Sequence, residues 1–361
     1  IGIPDHIYRM REEIYLNDYI SGHPKASDGW FQEYEGCDPG YQTLTISILA
    51  WIYELDPLPQ IRKALKKAVM FTSYFVHPDG SFGGEYASRN TYSFFPHGFE
   101  LISKWFPQST VVNDCFILGL KKGLQPNITD DHIIGHHTWN YLLAWRDYKE
   151  ERSQDKLHLK EGRTWFPHAK LLIERRGESV LYVALNKGGV FKFFRGENLV
   201  ASDTQFSVKM KDGRNAVGHM VDKYDFSFSE QGLVIEGRLG WSKQKRMSII
   251  NLISLRLIML SVGYFFPNLI RTLLQRQLIT GKNKAPFMFK REINWKNSRL
   301  IVEDYLKTKK WDDVTDVCIG TDQTSIYVAM SRTYQIGQLQ DWTDLNFNIK
   351  HGEPLYLKRL L

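Results

Sequence analysis

Apolar residues recur at helical spacing through the first part of the chain. In 5–20, Ile7, Met10, Ile14 and Ile20 stand with Tyr8, Tyr15 and Tyr19 among polar residues. A second helix is expected over 41–55, with Leu44, Ile48, Trp51 and Leu55 on one side, and a third over 60–76 behind Pro59. Further helices are expected at 97–106, 110–123 and 129–149, the last capped by Thr129 or Asp130. At about Glu150 the pattern changes. The charged stretch KEERSQDKLHLKEGRT reads as a linker, and short alternating runs bounded by turn residues follow it. LLIERR, SVLYVALNKGG, VFKFFRGENLVASD, FSVKMKDGR and LVIEGRLG, and later INWKNSRLIVEDYL, DDVTDVCIG, SIYVAMS and LYLKRLL, have the period of strands. Lys187-Gly188-Gly189, Arg195-Gly196-Glu197 and Asp212-Gly213 are hairpin signals between them. Such a series argues for a β-sandwich, so the chain reads as an α half followed by a β half.

One strongly apolar stretch, Ile249 to Leu274, interrupts the strands. Asn251, Arg256, Pro267, Asn268 and Arg271 break it into runs far shorter than the ~20 residues of a membrane-spanning helix. It reads as a buried or interfacial helix, with no integral membrane span.

Two loops repeat. Asp28-Gly29-Trp30-Phe31 leading to Glu33-Tyr34, and Asp79-Gly80-Ser81-Phe82 leading to Glu85-Tyr86, share one pattern and are separated by two expected helices. A motif that recurs once per helical hairpin marks stacked helix pairs. The second copy continues into an unshared tail, Ser88 through His97, that holds Arg89, Asn90 and Tyr92. The shared part reads as scaffold and the tail as the place for chemistry.

Composition adds less. Hydrophobic residues make up 43% and charged residues 24%, as in globular proteins. The formal charge of +7 favours an anionic partner. No dense basic run interleaved with aromatics points to nucleic acid. Cys37, Cys115 and Cys318 form neither a metal spacing nor a disulfide framework. His132 and His136 are spaced i, i+4, but no Glu follows His132 as a zinc-protease helix requires, and no metal or other cofactor is expected.

The two loops, DGWFQEYEGCDPGYQTLT at 28–45 and DGSFGGEYASRNTYSFFPHGFE at 79–100, with TWFPHAKLLIERRGESVLYVALNKGGVFKFFRGENLVASD at 164–203, resemble the heparinase II/III-like group of polysaccharide lyases, which includes alginate lyases. Within that group the chain is most similar to bacterial members associated with exopolysaccharide or lipopolysaccharide. The resemblance implies an α+β multidomain fold: an (α/α) toroid-type helical domain over 1–150, a linker over 151–163, and an antiparallel β-sandwich over 164–361 with an inserted apolar helix near 249–276. A closed toroid needs more helices than the six or so before Glu150, so the helical half is expected to be a fragment or an open arc. The resemblance favours a periplasmic or secreted protein, although no signal peptide is visible after Ile1.

It also implies a reaction, β-elimination on an acidic, uronate-containing polysaccharide. A base removes the proton beside the carboxylate and an acid protonates the departing glycosidic oxygen, while donors neutralise the carboxylate as charge builds. Arg89 and Asn90 are the candidates to hold the carboxylate, Tyr92 is the candidate base or acid, and His97 is its partner. Tyr41, following Gly40 in the preceding repeat, rivals Tyr92. Trp30, Glu85, Tyr86, His136 and His137 are candidates for substrate binding; His168 and His219 are candidates to reach the cleft from the β half. Two other readings stand beside this one. The carboxylates Glu33, Glu35, Asp38 and Glu85 would serve a glycoside hydrolase, unless they only hold the loops in place. A carbohydrate-binding protein of polysaccharide assembly would keep the cleft without the chemistry.

Overall fold

The computed structural model describes residues 28–33, 36–88, 91–124, 131–154, 160–219, 223–242, 249–261, 265–266, 283–296, 298–320, 343–346 and 353–361. The expected helix over 5–20, the Thr129 or Asp130 cap and the SIYVAMS strand lie outside them.

Among the described residues five helices come first: α1 (Pro39–Leu55), α2 (Pro59–Ser73), α3 (His97–Ile102), α4 (Ser109–Lys121) and α5 (Asp131–Arg146). Asp38 caps α1, its carboxylate accepting from the Tyr41 N–H at 3.1 Å, and Pro39 occupies the first turn, where its missing N–H leaves no helical bond unmade. Helix α3 is shorter than expected, because Ile102 is followed by turns around Trp105 and Phe106. The apolar segment begins as α6 (Ile249–Leu260); most of its expected continuation lies outside the described residues.

The strands form two antiparallel sheets. The first runs β1 (Gly162–Phe166), β2 (Leu171–Arg176), β3 (Ser179–Ala184), β4 (Val190–Arg195) and β5 (Asn198–Asp203) in simple sequence order. The three expected turns are hairpins. Gly188 and Gly189 join β3 to β4, Gly196 joins β4 to β5, and Gly213 joins β6 (Phe206–Met210) to β7 (Asn215–Val217), each glycine with positive φ. The second sheet also holds β8 (Asp225–Phe228), β9 (Gly232–Trp241), β10 (Lys284–Lys296), β11 (Arg299–Lys307), β12 (Val314–Ile319), β13 (Thr343–Asp344) and β14 (Leu355–Leu360). Strand β10 reaches back to Lys284, well before the Ile293 at which the alternating pattern was read; Ala285, Phe287 and Phe289 already face inward.

Burial along the strands fixes the layer order. Strands β10 and β11 alternate buried and partly exposed residues, the pattern of a sheet with one covered face. Strand β3 is buried at all six positions, so the five-stranded sheet is covered on both sides. Leu172, Leu181, Val183, Phe191 and Phe193 pack with Phe287, Ile293 and Val302 of the second sheet. The alternate residues Ile173, Val180, Tyr182 and Val190 pack instead with Leu65, Phe71 and Phe75 of the helical layer. The protein is thus a mixed structure of helices laid on one antiparallel sheet, whose other face packs on a second. The expected linker is tied down at its start, where Arg152 reaches Glu100 at 2.7 Å and also pairs with Asp114.

Candidate functional site

The two repeated loops match at their Asp-Gly step. Gly29 and Gly80 have φ of 89° and 91°. Each lies against the second helix that follows it. A Cβ on Gly29 would meet the Lys67 carbonyl of α2 at 2.6 Å, and one on Gly80 would meet the Gly119 backbone of α4 at 2.9 Å. Only glycine combines this φ with this approach.

The tail of the second loop returns to the first. Ser88 donates its N–H to the Cys37 carbonyl at 2.9 Å and its hydroxyl to the Glu33 carbonyl at 3.1 Å. Thr91 donates its hydroxyl to Asp38, the cap of α1. Beyond it, the Phe95 N–H donates to the Thr43 hydroxyl at 2.9 Å and the Gly98 N–H to Ser47 at 3.1 Å. Arg89, Asn90 and the His136 side chain lie outside the described residues. The residues on either side of the Arg-Asn pair, however, are both fixed to the segment that leads into Tyr41. Tyr41 itself is half-buried.

The same loop is fastened to the five-stranded sheet from the other side. The Lys187 ammonium donates to the carbonyls of Glu85, at 2.9 Å, and Ala87. The Ser202 hydroxyl donates to the Glu85 carboxylate, whose second oxygen lies 2.9 Å from Lys192. Lys192 and Glu85 thus form a buried ion pair. Lys192 also lies 4.7 Å from the centre of the Tyr92 ring and 3.5 Å from its hydroxyl. Glu85, Tyr92, Lys192 and Ser202 are all buried. Glu85 and Asp38 therefore have structural duties.

Two hydrogen-bond chains have assignable protons. Ser81 gives its one hydroxyl proton to Asp79 at 2.6 Å, so His77 Nδ1, 2.7 Å from Ser81 Oγ, must carry a proton. His77 Nε2 is then free to accept from Tyr86 at 2.8 Å. Burial, with Lys192 nearby, holds His77 well below the ordinary imidazole range. Burial raises the Tyr86 phenol well above its usual value, and the ring stacks on Tyr182 at 5.5 Å. In the second chain, the Trp51 indole donates to His97 Nδ1 at 2.7 Å, which leaves the proton on Nε2, 2.6 Å from Asp147. Burial lowers the His97 pKa against the opposing pull of Asp147, whose own pKa falls to about 2 beside Arg146 and His97.

The candidates thus fall into separate groups. Tyr41 and the neighbours of the Arg-Asn pair share the junction of the two loops. Tyr92 lies behind it on Lys192. His97 bonds to Trp51, Asp147 and Asn140, so Tyr92 is not among its hydrogen-bond partners. Trp30 and Tyr86 belong to the core between helices and sheet. His137 is buried and stacks on Phe95 at 4.5 Å. His168 meets the first loop through its backbone N–H, bonded to Asp28 at 3.1 Å, while its side chain is exposed. His219 is buried with Nδ1 2.9 Å from the Thr204 carbonyl. Among the described residues no three His, Cys, Asp or Glu side chains gather as a metal site.

Lys192, Lys187 and Ser202 did not emerge from the sequence. One signal was present: Val190-Phe-Lys-Phe-Phe places a single lysine in a strand otherwise apolar on both faces, and such a cation needs a buried partner. A search against protein-family models finds no match to this chain, and a search of curated proteins finds none either.

Proposed function

We propose that this protein acts on an acidic, uronate-containing polysaccharide by β-elimination, as a lyase of the heparinase II/III-like kind, its helices forming an arc of an (α/α) toroid. The observation that carries this reading is the fixing of Ser88 and Thr91 to Glu33, Cys37 and Asp38, just ahead of half-exposed Tyr41. The segment between those two anchors carries, in sequence, the types that the reaction needs for the substrate carboxylate, Arg89 and Asn90, and the segment they are anchored to leads into Tyr41 for proton transfer. The matched glycines of the two loops support a helical-hairpin repeat. Tyr92, 1% exposed, serves as the floor of this junction. Lys192 would stabilise negative charge on its oxygen, in part offset by Glu85.

The test is to mix the full chain with alginate, and separately with other uronate polymers, and follow the ultraviolet absorbance of the unsaturated uronate product. Absorbance should rise with at least one polymer. Tyr41→Phe and Arg89→Ala should each lower the rate by about 100-fold or more, the scale of general acid–base catalysis. If the polymers give no chromophore, or both variants keep the full rate, the lyase reading is lost. The burial of Tyr92 favours a second reading, a binding protein without chemistry. It predicts that the polymer is retarded in a gel with no product formed.

A further inference from the structure

Helix α2 carries four cations and no acid. Arg62, Lys63, Lys66 and Lys67 are all exposed, while Ile61, Leu65, Ala68, Val69 and Phe71 of the same helix are buried. Arg62 with Lys66, and Lys63 with Lys67, stand four residues apart on one side, where like charges repel and weaken a helix. A merely solvated helix face alternates its charges and pairs them. Here Arg62, Lys63 and Lys66 form no ion pair among the described residues, and Glu54, at the end of neighbouring α1, is paired with Lys104. The fold adds two rings from outside the helix. The Arg62 guanidinium lies 4.9 Å from the centre of the Trp105 ring, and the Lys66 ammonium 5.3 Å from that of Phe106. These contacts hold both cations in place, so meeting an anion costs them little further side-chain freedom. The basic face ends against the first repeated loop, where Gly29 lies on the Lys67 backbone.

We propose that the exposed face of α2 is a binding site for an acidic polysaccharide, separate from the junction of the two loops. Arg62, Lys63 and Lys66 meet carboxylates of one polymer segment, and the repulsion along the helix is relieved as they do. Two other polyanions fit this face less well. A lipid leaflet takes up apolar side chains, and apart from exposed Met70 those of α2 face the core. A single-stranded nucleic acid stacks its bases on free rings, and Trp105 and Phe106 already pack against Arg62, Lys66 and each other. The choice of a carboxylated polymer rests on the lyase reading. The site itself does not, since it uses none of the loop residues.

The experiment measures the affinity of the full chain for alginate, polygalacturonate, uncharged dextran and duplex DNA, at low and high salt and apart from any product formed. At least one of the two uronate polymers should bind, salt should weaken that binding by screening, and dextran should not bind. The triple variant Arg62→Gln, Lys63→Gln and Lys66→Gln should bind the polymer about tenfold or more weakly, the scale of three lost surface charge contacts. Glutamine is a good helix former, and an unchanged circular dichroism spectrum will show that the fold is kept. Lys63→Glu alone should weaken binding about threefold, and it serves should the triple variant not fold. Binding of neither uronate polymer, equal binding of dextran, or undiminished binding by a folded variant would each overturn the proposal. So would tighter binding of DNA that the triple variant abolishes, since a nucleic acid would then be the partner. Failure of the lyase reading has a different signature: no chromophore forms, yet the polymer is held and the triple variant releases it.

Discussion

Lys192 and Glu85 form an ion pair 2.9 Å long in which the two side chains are only 1% and 2% exposed. The lysine comes from a strand and the glutamate from a loop between helices, so this bond joins the helical layer to the sheet. Removing one partner of a buried pair leaves the other charged and unsolvated. Lys192→Met and Glu85→Gln are each expected to cost about 3–5 kcal/mol. The double variant Lys192→Met with Glu85→Leu should cost less than the sum, because no lone charge remains. Urea unfolding measures all three; single losses below about 0.5 kcal/mol would remove the pair from any account of stability.

A second buried network joins the two sheets. Arg291 contacts Asp203 at 3.1 Å and Asp304 at 2.6 Å, and Arg359 contacts both carboxylates at 2.6 Å. Burial alone would raise the Asp203 pKa, but Arg291 and Arg359 outweigh it and leave the pKa lowered. A carboxylate with a depressed folded pKa stabilises the protein above its unfolded value, near 3.9, and that stability is lost as pH falls through the folded value. Asp203→Asn should therefore destabilise by about 3–5 kcal/mol at neutral pH and lose less further stability than the parent between pH 5 and 3. Equal acid sensitivity in parent and variant would contradict this assignment.

His77 adds an acid-side loss of stability at higher pH, between 5 and 7. Its folded pKa lies well below 6.5, so below that pH the unfolded chain binds the extra proton and stability falls. His97, also lowered, acts in the same direction. Stability should rise from pH 5 to 7 and then level off. His77→Gln should flatten the rise without abolishing it, since His97 remains. The slope of unfolding free energy against pH decides, and an unchanged slope in the variant would show that His77 does not titrate on unfolding.

Two helical glycines offer a matched comparison. A Cβ on Gly119 would lie 1.9 Å from the Gly80 carbonyl oxygen, whereas one on Gly135 meets nothing within 4 Å. Gly119→Ala should destabilise by about 1–3 kcal/mol through overpacking. Gly135→Ala should stabilise by up to about 1 kcal/mol through helix propensity. Thermal unfolding of the two variants should thus move in opposite directions. Gly135, which precedes His136 and His137, has open space around it.

The local parts of this fold were legible in the sequence. Apolar spacing located α1 and α2, and alternation with glycine turns located the β2–β5 hairpins, because both patterns arise from contacts within a few residues. The loop repeat was legible too, since the Asp-Gly backbone demands glycine in both copies. The role of Tyr92 was not. Its neighbour Lys192 lies 100 residues away, and only the docking of helices on the sheet brings them together. The net charge was legible as a sum, but its bearing depends on position. Glu85 beside the loops is balanced by Lys192, whereas Arg62, Lys63 and Lys66 stand together on one exposed face of α2. The sequence by itself determined which segments are helix, strand and turn, because short-range sterics and periodicity act before any distant contact forms. The tertiary structure decided which polar groups are buried together, which tyrosine meets solvent and which cations share an exposed face, because burial is set by packing between layers.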